Sequence, residues 1–252
     1  MGKSIKGRYF LLDELRGFAI LCMIIFHGLY LYTEMFGNKT TASLFSFFGH
    51  AQPYFAIFFV LLSGLCSVLS HSNIKRGLRL AVIAAGISAV TIAAGEFGLD
   101  VAIYFGIIHL LACAILFYAL FYRALDRVPS LLGAAINLVL FLVTYPVPDG
   151  KLWLIVKYYR LPQVLYSSKY LFWLGLPGQA FQSADYFPVI PWLFIFLCGY
   201  YIGRFFKKHG FPALFKLSIV PFFGTVGRNS LLIYILHQPV LYSIFLLISR
   251  IR

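Results

Sequence analysis

The sequence predicts an all-α membrane protein: a bundle of about seven transmembrane helices, N-terminus cytoplasmic, forming a single polytopic domain over residues 1–252. Three observations predict it. Only 12% of residues are charged, against 61% hydrophobic and 19% aromatic, about half the charged share of a soluble domain. The apolar residues come in runs near twenty long, the length that crosses a hydrocarbon core about 30 Å thick at about 1.5 Å per residue. The cations, finally, gather at alternate ends of those runs.

In order, the spans are Leu15–Tyr32, Pro53–Leu69, Leu78–Ala94, Ala102–Phe121, Leu131–Tyr145, Phe187–Phe206 and Leu231–Ile248. The first is too long for a cleavable signal, carries Asp13, Glu14 and Arg16 at its start and lacks a small-residue cleavage site, so it is expected to stay as a helix. Lys3, Lys6, Arg8 and Arg16, then Lys75, Arg76 and Arg79, then Arg123 and Arg127, then Arg204, Lys207, Lys208, Lys216 and Arg228 put fourteen of the twenty-one cations on one side. That side is cytoplasmic by the positive-inside rule, and an odd number of spans puts the C-terminus outside.

Between the spans, the outer side receives a loop at Thr33–Gln52, a short acidic turn around Glu96 and Asp100, and a long segment from Pro146 to Tyr186. Trp153, Tyr158, Tyr159, Tyr166, Tyr170 and Trp173 in that segment favour the headgroup level, so part of it is expected to lie on or dip into the membrane, with an eighth short span as the alternative. On the inner side Phe211–Phe223, apolar with one lysine and two prolines, reads as interfacial. Asn38-Lys39-Thr40 has the form of a glycosylation sequon.

The net charge of +13 belongs to membrane anchoring, because a nucleic-acid partner needs an aqueous basic surface that this chain lacks. Its natural partners are the lipid bilayer and anionic cosubstrates. Apolar surface here can face lipid or a second copy of the chain, and sequence does not separate the two. Cys22, Cys66, Cys113 and Cys198 all fall inside apolar runs, with no metal-ligand spacing and no pairing in the loops, and read as buried small hydrophobes. Cys113, one turn after His109, also allows a Cys/His nucleophile.

Ionisable residues inside spans carry the functional signal. Arg16 and His27 stand eleven positions apart, nearly on one helix face and about 16 Å apart along the axis. As an isolated pair they read equally well as a snorkelling anchor and a hydrogen-bonded interior histidine. His109 and His237 lie within spans four and seven, and Pro239 frees the carbonyl of Ile235 close to His237. Asp185 stands where span six begins, placed to cap a helix N-terminus or to orient an amine. His50 precedes span two on the outer side.

The run Leu12-Asp13-Glu14-Leu15-Arg16-Gly17-Phe18-Ala19-Ile20, continuing to Met23 and His27, resembles the opening of membrane-embedded acyltransferases that use acyl-CoA. Ser183-Ala184-Asp185-Tyr186-Phe187-Pro188 with Pro191-Trp192, Gly199 and Gly203-Arg204 follows, and then Gly227-Arg228-Asn229-Ser230-Leu231-Leu232-Ile233-Tyr234 with His237-Gln238-Pro239. In that order and spacing they resemble the bacterial branch of the heparan-alpha-glucosaminide N-acetyltransferase catalytic-domain family, over nearly the whole chain.

The resemblance implies acetyl-CoA bound from the cytoplasmic side and an acetyl group delivered to a glycan or small-amine acceptor on the other face. It also matches His50 to the histidine considered catalytic in the animal enzyme, across a loop of different length. The animal enzyme has asparagine where this chain has His27, and its large lumenal domain has no counterpart in these residues. Coenzyme A needs cations at one mouth and a narrow path inward, which Arg16, Arg76, Arg79, Arg204 and Arg228, with Asp13 beside them, are placed to provide. His27 then becomes general base or acyl carrier, with His50, Asp185 and His237 as further catalytic candidates and His109 beside them. Transfer to nitrogen or to oxygen stays open. The rival readings are a transporter or channel for a small solute, against which the missing internal repeat counts, and a seven-helix photoreceptor, whose retinal lysine the last span lacks.

Overall fold

The computed structural model describes residues 8–37, 39–98, 101–154 and 156–251, apart from the side chains of Lys39 and Thr40. Lys3, Lys6, Asn38 of the sequon and Asp100 lie outside the described residues. The chain is an all-α membrane protein. Its α-helices are α1 (Phe10–Phe36), α2 (Lys39–Ser67), α3 (Asn73–Glu96), α4 (Ile107–Leu125), α5 (Ser130–Thr144), α6 (Val189–His209), α7 (Pro221–Arg228) and α8 (Ser230–Ile251). One hairpin, β1 (Lys151–Leu154) with β2 (Lys157–Arg160), interrupts them. Seven of the helices, all but α7, are long and apolar enough to cross a membrane, the fifth when taken together with the 3-10 turn that carries it on to Asp149. These are the seven spans expected, the fifth among them.

Three expectations about the connections are corrected. The outer loop at Thr33–Gln52 is mostly helix, because α1 runs to Phe36 and α2 begins at Lys39. Polar side chains there return to their own helix: Thr33 Oγ1 donates to Leu29 O at 2.8 Å, and His50 Nδ1 meets Ser46 O at 2.7 Å. A residue so bonded stays helical beyond the apolar run. Gly37, at φ 61°, ends α1 by sending its N–H to Thr33 O, the left-handed stop that glycine allows.

The fourth span begins at Ile107, not Ala102. Ahead of it the chain runs extended and pairs with the segment before α6, through Ala184 N to Ala102 O at 2.9 Å and Phe187 N to Phe105 O at 3.0 Å. Gly106 is the N-cap. Among the described residues the Pro146–Tyr186 segment holds no α-helix, so it contains no eighth span; it consists of the hairpin and short 3-10 turns. The Phe211–Phe223 stretch is a 3-10 turn followed by the start of α7.

The described residues form two compact units. The first, Met1–Phe59 with Phe211–Arg252, contains α1, the first part of α2, α7 and α8. A Cβ on Gly17 would collide with Phe223 O and lie 2.8 Å from Gly227 N, while one on Gly227 would collide with Asp13 O. The α1 and α7 backbones therefore touch directly, the close approach that small residues permit in lipid. Aromatic pairs extend this packing: Tyr9 stacks on Phe211 at 4.1 Å, and Phe18 meets Phe223 at 5.9 Å and Phe55 at 6.2 Å.

The second unit, Val60–Gly210, repeats the device between the end of α2 and α6. Cβ atoms on Gly64, Gly199 and Gly203 would run into Phe196 O, Leu61 O and Leu65 O respectively. Tyr200 and Tyr201 fill its core beside Val68, against Tyr118, Leu125, Val128 and Ala134.

Gly199→Ala is expected to cost about 1–3 kcal/mol, because the methyl has backbone and not a movable side chain in its way. Gly86→Ala on α3, where a Cβ meets nothing within 4 Å, is expected to leave stability unchanged or to raise it by up to about 1 kcal/mol. Thermal unfolding of both variants in detergent checks the pair.

Candidate active site

In the first unit the packing around one helix crossing brings together candidates from α1, α7 and α8. Gly17 and Gly227 touch at the crossing, so their chain neighbours Arg16 and Arg228 flank the same contact. Asp13, one turn before Arg16, holds two guanidiniums: Arg8 Nη2 at 2.6 Å and Arg16 Nη1 at 3.5 Å. Arg228 is exposed and donates from Nη2 to Thr225 Oγ1 at 2.8 Å.

Glu14 fixes the register of this crossing. It is 3% exposed and accepts from Ser218 Oγ at 2.6 Å and from the backbone N–H groups of Ile219 and Val220, each at 3.0 Å. Those amides lead into α7, whose N-terminus has no side-chain cap of its own. An anion belongs there, and α1 supplies it. Glu14 was visible in the sequence only as one acid in a charged run; what could have exposed it is a carboxylate entering an apolar helix with no cation on its own face to pair with.

Deeper along α1 and α8, His27 and His237 come together with ring centroids 5.1 Å apart. His237 is 7% exposed, and its Nδ1 lies 2.6 Å from Tyr234 O. A carbonyl only accepts, so Nδ1 carries the proton and Nε2 is left as a lone pair. That Nε2 is buried and without a hydrogen-bond partner among the described residues. A buried polar atom left bare is rare enough to require a reason. His27 is half-buried, with the Phe26 ring centroid 5.3 Å from its own. His50, by contrast, sits exposed on α2 with Nδ1 turned to its own helix.

The remaining candidates lie in the second unit. Arg204 donates to Val128 O at 2.7 Å and to Asp126 O, and its Nε is 3.3 Å from Asp126 Oδ1, so it closes the C-terminal end of α4. Arg76 reaches Ser63 Oγ at 3.2 Å, and Arg79 is exposed on α3. Asp185 does not start α6, which begins at Val189; its Oδ2 accepts from Ile107 N at 3.0 Å and so caps α4. His109, on the first turn of α4, has both ring nitrogens engaged. Nδ1 accepts from Gly106 N at 3.2 Å, and Nε2 is 3.1 Å from Ser88 Oγ, which donates onward to Ile103 O at 2.7 Å. Close by, burial pushes the Tyr186 phenol up, and its hydroxyl donates to Phe172 O at 2.6 Å. Cys113 is exposed on α4.

Fold and site together define a multi-pass membrane protein with paired histidines and the Arg16 and Arg228 side of the α1–α7 crossing in one unit. The family model of heparan-alpha-glucosaminide N-acetyltransferase, catalytic, matches residues 8–239, and the chain belongs to that family. It is thereby a membrane transferase of the acetyltransferase type. Comparison with curated proteins and with solved structures gives no match.

Replacing Glu14 with leucine is expected to leave the Ser218 hydroxyl and two backbone donors without an acceptor, costing about 2 kcal/mol or more. Glu14→Gln, which keeps one carbonyl oxygen, should lose less. Proteolysis at the α7 entry together with thermal midpoints measures both; equal stability of all three proteins would show that the carboxylate does not hold α7.

Proposed function

We propose that this chain transfers an acetyl group from cytoplasmic acetyl-CoA to an amino-sugar or other amine or glycan acceptor on the opposite face, with His27 and His237 carrying the proton transfers. The observation that supports this reading best is the bare, buried Nε2 of His237 beside the His27 ring. Two imidazoles can divide the work of acyl transfer. One takes the proton from the acceptor nitrogen or oxygen as that atom bonds to the thioester carbonyl carbon. The carbon–sulfur bond breaks, and an imidazolium returns a proton to the departing thiolate. Tyr234 O holds His237 in the tautomer whose Nε2 accepts.

Arg16 and Arg228 are the cations we assign to the phosphates of the donor. Arg16 is held by one long contact to Asp13, at 3.5 Å, and keeps donors for a second anion. Arg76 and Arg79 remain secondary candidates for the same ligand. Arg204 we assign to closing α4, since its Nη1, Nη2 and Nε all have acceptors there. Asp185 and His109 act in this reading through the α4 N-terminus, and His50 as an outer-side group met by the acceptor.

The test is binding and transfer of radiolabelled acetyl-CoA by purified protein in detergent. Arg16→Ala is expected to raise the KM for acetyl-CoA by roughly 10-fold or more with a smaller effect on kcat, the loss of a charge-assisted bond. His27→Ala and His237→Ala are each expected to lower kcat by about 10²–10⁴ while donor binding persists. Label retained on His27 after acid quenching would make it an acyl carrier. Absence of acetyl-CoA binding, with solute flux in liposomes instead, would replace the enzyme reading with a transporter.

A further inference from the structure

We infer that the β1–β2 hairpin is an interfacial anchor that docks on the phosphate headgroups of anionic phospholipids, on the side of the membrane opposite most of the protein's cations. The charge distribution starts the argument. Seven Lys and Arg lie away from the cation-rich side, and four of them, Lys151, Lys157, Arg160 and Lys169, fall in the one connection between α5 and α6. No aspartate or glutamate occurs from Gly150 to Ala184. Cations on that side go against the distribution that orients the chain, so the positive-inside bias does not account for them.

The register sharpens the point. Lys151 pairs directly across from Arg160, and Trp153 across from Tyr158. Like charges directly opposite are destabilising unless an anion lies between them or over them. Among the described residues none of these four cations has an ion pair; Lys157 alone finds a substitute, with its Nζ 5.8 Å from the Tyr159 ring centroid. Alternate residues of a strand share a face, so Lys151, Arg160, Trp153 and Tyr158 form one surface of two cations with two aromatic rings.

The apolar tip decides between lipid and a soluble polyanion. Leu154 is 47% exposed and Val156 93%, beside Tyr158 at 60% and Tyr159 at 51%. An aqueous anionic glycan offers nothing to a valine held in water, whereas a bilayer takes the tip into its apolar boundary and sets indole and phenol rings at the headgroup level. The hairpin is also held at that level. Its base is closed by Leu161 N to Gly150 O at 2.8 Å and Lys151 N to Pro146 O at 3.1 Å, two residues beyond the end of α5. Tyr166 OH bonds Val147 O underneath.

The experiment reconstitutes the full chain in phosphatidylcholine vesicles containing phosphatidylglycerol, with bromine on the acyl chains of one lipid or the other. Trp153 fluorescence is taken as the difference from a Trp153→Phe protein. Brominated phosphatidylglycerol is expected to quench Trp153 at least about twofold more than brominated phosphatidylcholine at equal mole fraction, since a surface cation enriches anionic lipid roughly fivefold. The preference should vanish in K151Q/K157Q/R160Q and at 1 M salt, and Val156→Asp should weaken quenching by both lipids. Quenching by neither lipid, equal quenching by both, or a preference that survives the triple substitution would overturn the proposal. So would a hairpin indifferent to lipid charge whose Trp153 responds to a soluble sulfated oligosaccharide.

Discussion

The contact on which the first unit depends is the one between the backbones of α1 and α7 at Gly17 and Gly227. In lipid the apolar faces of two helices gain nothing from meeting each other, so association rests on close van der Waals fit and on internal hydrogen bonds. Two glycines at the crossing give the first. Glu14, three positions before Gly17, gives the second by accepting from Ser218 and from the amides of Ile219 and Val220. A Cβ at either glycine would push the helices apart and draw that carboxylate away from its donors. The two touching glycines are the chain neighbours of Arg16 and Arg228, so packing and charge are not separable features here. The crossing explains why arginine is followed by glycine on α1 and preceded by glycine on α7.

The two interior histidine environments show how one residue type is put to different uses. His109 is saturated: one nitrogen accepts from Gly106, the other meets Ser88, and Ser88 passes the chain on to the carbonyl of Ile103. Nothing is left over for a ligand without breaking the cap of α4. His237 is half satisfied, its Nδ1 fixed by Tyr234 O and its Nε2 buried with no partner among the described residues. A purely structural histidine in an apolar bundle would be expected to find a second partner or to be replaced by an apolar side chain, since a lone pair carried into the interior is costly. The asymmetry between them, more than the presence of histidine in a span, is what makes His237 the stronger candidate for chemistry and His109 a part of the α4 cap.

Much of this was legible in the residues. Runs near twenty apolar residues long marked all seven spans, and Arg16 and His27 on one face of the first helix pointed to the unit in which His27 meets His237. What escaped did so for physical reasons. Helix in the Thr33–Gln52 stretch rests on side chains that bond back to carbonyls one turn earlier, which hydropathy does not see. The late start of α4 depends on Asp185, nearly eighty residues away, capping Ile107, and no local pattern reports a cap supplied from so far. Arg204 looked like any other cation near a span end, and only the carbonyls of Asp126 and Val128 around it reveal that it terminates a helix. The meeting of His27 with His237 likewise needed the α1 and α8 packing that brings together residues from the two ends of the chain.

Which cations are free for a ligand follows from counting donors against acceptors, not from counting charges. Arg204 has every guanidinium nitrogen engaged by one helix end, whereas Arg16 shares Asp13 with Arg8, and Asp13 makes its shorter contact, 2.6 Å, with Arg8. A carboxylate that binds one arginine closely and the next at 3.5 Å orients the second without neutralising it. From that position, eleven residues of helix lead to His27, about 16 Å along the axis, and from Ser230 to His237 the rise is about 10 Å. A long thin donor anchored by its phosphates at the arginines would thus bring its reactive end to the histidines along α1 and α8, with the polyanionic part kept outside the apolar bundle. In the proposed reading, two to three helical turns separate the charged grip from the histidines, which would let a highly charged donor be used without being buried in the apolar bundle.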